Sequence, residues 1–116
     1  MEFQELIKKA KQVRDQYSVL NRLEGYKTWS ATEYAQGLVG DVGDLQKQLL
    51  AKKGFWFTDK NVDDKLGREL ADCLWGILAI ADELDVDISG EFSKTLKRLE
   101  GKILDRGVVK SKKKQL

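Results

Sequence analysis

Apolar positions recur along this chain at three- and four-residue steps, and they do so in four separate stretches. Phe3, Leu6, Ile7, Ala10, Val13, Tyr17 and Leu20 form the first stripe, which predicts a helix over about 2–20. The second helix is predicted to open at Ser30-Ala-Thr-Glu33, a capping box in which serine and glutamate satisfy each other's end of the first turn. It continues to about Lys52, with Ala35, Leu38, Val39, Val42, Leu45 and Leu49 inward. Asn61 can cap the third helix, with Asp63 and Asp64 in its first turn, where the helix dipole favours them. That helix runs to about Leu84. Asp87 or Ser89 opens the fourth, whose stripe is Ile88, Phe92, Leu96, Leu99 and Ile103. Four stripes need one shared core, so the fold class expected is all-α, a four-helix bundle.

The third stripe carries an anomaly. From Leu70 to Ala81 a single residue, Asp72, is polar, and a helix so apolar is expected to be buried on nearly every side. Glu69 stands three residues before Asp72, and Asp41 and Asp44 repeat that spacing at the edge of the second stripe. Two helices side by side would bring two carboxylate pairs to one point near the core. Burying an isolated ionised carboxylate is costly enough that it usually takes up a proton instead. A divalent cation resolves the repulsion, because oxygen ligands suit Mg2+. Otherwise each carboxylate pairs with a nearby base, Asp44 with Lys47 and Glu69 with Arg68. Gly37, Gly40 and Gly43 follow one another every third residue, and Gly76 lies one turn past Asp72. Each is unfavourable in a helix interior, so close approach of another helix or a ligand is expected beside them.

Composition narrows the chemistry. There is no histidine and a single cysteine, Cys73, which excludes a Ser-His-Asp triad, a Glu-x-x-His di-iron site and a well-served zinc site. Any catalysis must run on carboxylates, lysines, arginines and hydroxyls, with hard cations such as Mg2+ or Mn2+. Proline is absent, which suits long helices. The lone thiol inside an apolar run fits a reducing, cytoplasmic setting. The N-terminus is charged from Glu2, unlike a signal peptide, and the apolar run is too short to span a bilayer. A formal charge of +2 gives no strong general attraction to nucleic acid. Residues 1–107 read as one domain and 108–116 as a basic, disordered tail.

The stretches GLVGDVGDLQKQL and ELADCLWGILAIADELDVDI resemble the MazG-like nucleotide pyrophosphohydrolases, members of the all-α nucleoside triphosphate pyrophosphohydrolase superfamily. The family signature is E-x-x-E, a spacer, then E-x-x-D. Here the second half is intact as Glu69-x-x-Asp72, while the first stands as Asp41-x-x-Asp44, one methylene shorter at each position. The resemblance covers about residues 28–103. It implies a MazG-like bundle that assembles as a homodimer or homotetramer, and the aromatic cluster FWF at 55–57 fits such a contact. It further implies Mg2+-dependent hydrolysis of a (deoxy)nucleoside triphosphate to the monophosphate and pyrophosphate, as in house-cleaning of the nucleotide pool. Asp41, Asp44, Glu69 and Asp72 would hold the metal, with Mn2+ as a substitute, and Asp44 would be the catalytic base. Trp29 and Trp75 would meet the base of the substrate. Lys47, Lys94 and Arg98 would meet its phosphates, although the fourth helix lacks the asparagine and tyrosine many relatives carry there. Two other readings compete. One is a non-catalytic helical interaction module, suggested by the basic cluster Lys110 to Lys114. The other is a degenerate relative that binds nucleotides without cleaving them.

Overall fold

The computed structural model describes residues 2–56 and 60–108, the last by its backbone alone. Among these the chain is all-α. Four helices, α1 (Phe3–Leu23), α2 (Ala31–Lys52), α3 (Val62–Glu83) and α4 (Ile88–Ile103), are followed by one π-helical turn, Leu104–Val108. No strand occurs among the described residues, and none of their helices is long and apolar enough to cross a membrane. Phe57 of the expected aromatic cluster and the basic stretch from Val109 onward lie outside the described residues.

Local chemistry accounts for the helix ends. The Glu33 carboxylate accepts the backbone N–H and the hydroxyl of Ser30, each at 2.9 Å, and so closes the capping box that starts α2. Asp87 caps α4, its carboxylate accepting the Gly90 amide at 3.1 Å. Gly25 and Gly54 follow α1 and α2 with φ of +80° and +84°, the left-handed turn that lets the next amides fold back onto the last carbonyls. At the end of α3 the same turn is made by Asp85, with φ of +57°. The first helix thus runs three residues past its expected end, because its stop signal is Gly25 rather than the end of the apolar stripe.

The molecule forms two compact units that divide between Val86 and Asp87. In the first, α3 is the helix that both others touch. Gly76 late in α3 faces Leu38 early in α2, while Asp63 at the start of α3 pairs with Lys52 at the end of α2 at 2.5 Å, so the two helices run antiparallel. A Cβ placed on Gly76 would stand 3.4 Å from that of Leu38, which is the close helix approach anticipated there. Gly37 faces the Trp29 indole, but Gly40 and Gly43 meet nothing within 4 Å, contrary to expectation, because they lie off the α2–α3 seam. Arg14 ties α1 to the end of α3 through Asp82 and Glu83.

Burial departs from the sequence pattern. Tyr34, Ala51, Leu78, Ala79 and Ala81 are the buried apolar residues, together with Gly76. The expected inward residues Val39, Val42 and Leu49 of α2 are exposed, Val39 to 74%. The third helix is not buried on every side either: Leu70, Leu74 and Ile77 are open to solvent in the single chain. Its segment 70–81 is apolar on nearly every side, yet one chain covers only part of that surface.

Candidate metal and ligand site

The antiparallel pairing of α2 and α3 sets Asp41 against the Glu69–Asp72 turn. One carboxylate oxygen from each of Asp41, Glu69 and Asp72 lies within 4.8 Å of the others. Asp41 and Glu69 are half-buried, while Asp72, expected near the core, is exposed, since it faces the rim of the seam rather than its interior. Burial pushes the Asp41 carboxyl above its ordinary range, and the neighbouring Asp72 and Asp44 charges push it further. Glu69 is raised in the same way, by burial first and then by Asp44, Asp72 and Asp41, with Arg68 partly opposing. These shifts report burial first and like charges in a shared space second. Beside them the Cys73 thiol is also held up, by burial and by Asp41, Glu69 and Asp72, so it stays protonated.

Asp44 stands apart from the group of three. It lies one turn further along α2 and is exposed, although its charge is felt by both Asp41 and Glu69. Among the described residues no base pairs with Asp72.

The carboxylates open onto an aromatic wall. Trp29, Tyr34, Gly37, Leu38, Asp41, Asp72, Trp75 and Gly76 line one cleft of about 220 Å³. Both tryptophans singled out from the sequence line this cleft. Trp29 meets Tyr34 edge-on with ring centroids 5.4 Å apart, and Trp75 meets Tyr17 at 6.4 Å. The Arg14 guanidinium lies 5.7 Å over the Tyr34 ring. Burial raises the Tyr34 hydroxyl above its ordinary value, and Arg14 works against that. An adjoining cleft of about 320 Å³ is lined by Tyr17, Asn21, Trp29, Tyr34 and Trp75.

The remaining expected residues are less engaged. Lys47 is exposed on α2, one turn past Asp44. Lys94 and Arg98 belong to the second unit, where Lys94 pairs with Glu91 at 3.2 Å. Sequence reasoning missed Tyr34 and Asn21. The signal for Asn21 was its place four residues after Tyr17, on the same helix face.

Comparison with known proteins adds little to this chemistry. No protein-family model matches the chain, and no solved structure matches it. It is similar to the Gene 37 protein of Mycobacterium phage L5, 37% identical over 76 residues. That stretch is 63% of this chain and 65% of the relative, so the chain spans less than two thirds of the relative's length.

Proposed function

We propose that the protein is a Mg2+-dependent nucleoside triphosphate pyrophosphohydrolase of the MazG-like kind, releasing a monophosphate and pyrophosphate. One juxtaposition carries the reading: Asp41 and Asp72 share a cleft with Trp29, Tyr34 and Trp75. A ligand that suits both sides has a planar ring at one end and hard oxyanions at the other, which describes a nucleotide. The donor set fits Mg2+ or Mn2+, being all carboxylate oxygen, with the one nearby thiol kept protonated.

Asp41, Glu69 and Asp72 would hold the ion, which when bound neutralises phosphate oxygens and acidifies a water. Asp44, outside the trio but close enough to influence it, takes the proton as the water oxygen attacks the α-phosphorus. The α–β bridging oxygen leaves with the pyrophosphate. Lys47, exposed beyond Asp44, offsets charge on that leaving group. Trp29, Tyr34 and Trp75 receive the base. The functional unit is a homo-oligomer. Supporting this are the exposed apolar residues of α2 and α3, Val39, Val42, Leu70 and Leu74, beside the open glycines Gly40 and Gly43.

The test is pyrophosphate release from a panel of ribo- and deoxynucleoside triphosphates, with Mg2+ and with EDTA. Metal-dependent release from at least one of them is expected. No release from any would defeat the proposal.

A further inference from the structure

The larger cleft contains one group for which the proposed chemistry has no use. Its lining is Tyr17, Asn21, Trp29, Tyr34 and Trp75, and at about 320 Å³ it sits at the lower end of ligand-pocket sizes, roughly 300–1,000 Å³. Four of the five residues are aromatic. The fifth, Asn21, is half-buried one turn beyond Tyr17 on α1. Its backbone carbonyl accepts the Tyr26 amide at 2.7 Å, but its carboxamide makes no hydrogen bond with any described residue. The carboxamide therefore stands among rings with a donor and an acceptor both open to a ligand that enters the cleft.

We infer that Asn21 is the specificity-determining residue of this cleft, hydrogen-bonding the edge of a heteroaromatic base stacked among Tyr17, Trp29 and Trp75. Trp29 and Trp75 line both clefts, so a ring held here stays continuous with the side where Asp41 and Asp72 lie. The identity of the ring as a nucleobase rests on the nucleotide reading above. The place of the reader rests on the cleft alone. An asparagine side chain presents one donor and one acceptor side by side, and it therefore favours a base edge with the complementary pair over an edge of two donors or two acceptors.

The experiment titrates nucleosides, without phosphate or metal, against tryptophan fluorescence of the full chain. Trp56, exposed and outside the cleft, is replaced by phenylalanine to remove its signal. Adenosine, guanosine, cytidine and thymidine are compared in Asn21, Asn21→Leu and Asn21→Asp proteins. Circular dichroism checks that each is folded. Saturable quenching is expected with Asn21, and Asn21→Leu should weaken every nucleoside about tenfold. Asn21→Asp accepts but cannot donate. It should shift the guanosine-to-thymidine ratio about tenfold toward guanosine, whose N1–H and N2–H are adjacent donors. Affinities within twofold across all three proteins, or no quenching by any nucleoside, would overturn the inference. Asn21-dependent quenching without pyrophosphate release from triphosphates would defeat the pyrophosphohydrolase reading alone and leave this one standing.

Discussion

Arg14 on α1 places Nη1 2.7 Å from Oδ2 of Asp82, near the end of α3. The same guanidinium pairs with Glu83 and covers the Tyr34 ring, and its side chain is only 12% exposed. Its Nε is buried without a partner, so the guanidinium is held by its two outer nitrogens and by the ring beneath it. This one side chain fixes α1 against α3 and steadies Tyr34, which in turn meets Trp29. Arg14 therefore governs both the stability of the first unit and the aromatic wall of the cleft.

Replacing Arg14 by methionine should accordingly destabilise the protein by about 2 kcal/mol, within the range for hydrogen bonds to charged groups. Arg14→Lys should recover only part of that, because an ammonium cannot span both carboxylates in a fixed fork. Urea unfolding measures both. A loss below about 0.5 kcal/mol for Arg14→Met would place the pair among ordinary surface ion pairs.

The carboxylate trio predicts a pH dependence with a definite sign. Asp41 and Glu69 titrate above their ordinary values of 3.8 and 4.5. Between those values and the raised ones, the folded chain holds protons that the unfolded chain has released. Their contribution is intact below the ordinary range and declines as pH rises through the raised values. Bound Mg2+ removes the repulsion, so the melting-temperature gap between Mg2+ and EDTA should widen as pH rises toward neutrality. At a ligand concentration of about 100 times the dissociation constant the gain is roughly 2.7 kcal/mol. In EDTA, Asp72→Asn should leave stability equal or raise it, since it deletes one of several repelling charges. A gap independent of pH, or an Asp72→Asn protein strongly destabilised in EDTA, would contradict the metal assignment.

The sequence marked the helices and most of the acidic site, but not the burial. The capping box at Ser30 is a local signal decided by local hydrogen bonds, whereas α3 starts after Asn61 without the side-chain cap expected of that residue, its acidic first turn being favoured by the helix dipole. The E-x-x-D spacing works in the same way, since one helix turn carries Glu69 and Asp72 together whatever surrounds them. Burial depends on what lies opposite, and periodicity is silent about that. Val39 and Leu70 read as core because apolar stripes look alike whether they face their own chain or another. Tyr34 and Asn21 were missed for a related reason: each belongs to a cleft built from residues far apart in the chain, and neither breaks the pattern of its own helix.

Those open apolar residues make the oligomer testable. In a solitary chain Val39→Asp and Leu70→Asp would be surface changes worth no more than about 0.5 kcal/mol, with no change in mass. If Val39 and Leu70 lie between copies, each variant should dissociate the assembly. Light scattering at micromolar concentration should report a multiple of 13.2 kDa for the unaltered protein and a smaller species for the variants. A monomer in every case would remove the proposed assembly.

Asp44 separates metal binding from proton transfer. It shares the Asp41-x-x-Asp44 spacing, yet only Asp41 joins Glu69 and Asp72 in the group of close oxygens. Asp41→Asn should therefore abolish the Mg2+-induced rise in melting temperature and with it any turnover. Asp44→Asn should keep that rise, because the three ligands remain, while losing turnover by about 10²–10⁴-fold, the usual contribution of a positioned base. Both substitutions are nearly isosteric and remove one charge each, so neither leaves a cavity, although Asp41 is half-buried and Asp44 exposed. Loss of the metal shift in both variants would make Asp44 a fourth ligand and leave the water without an assigned base. Full turnover in Asp44→Asn would take the residue out of the chemistry altogether.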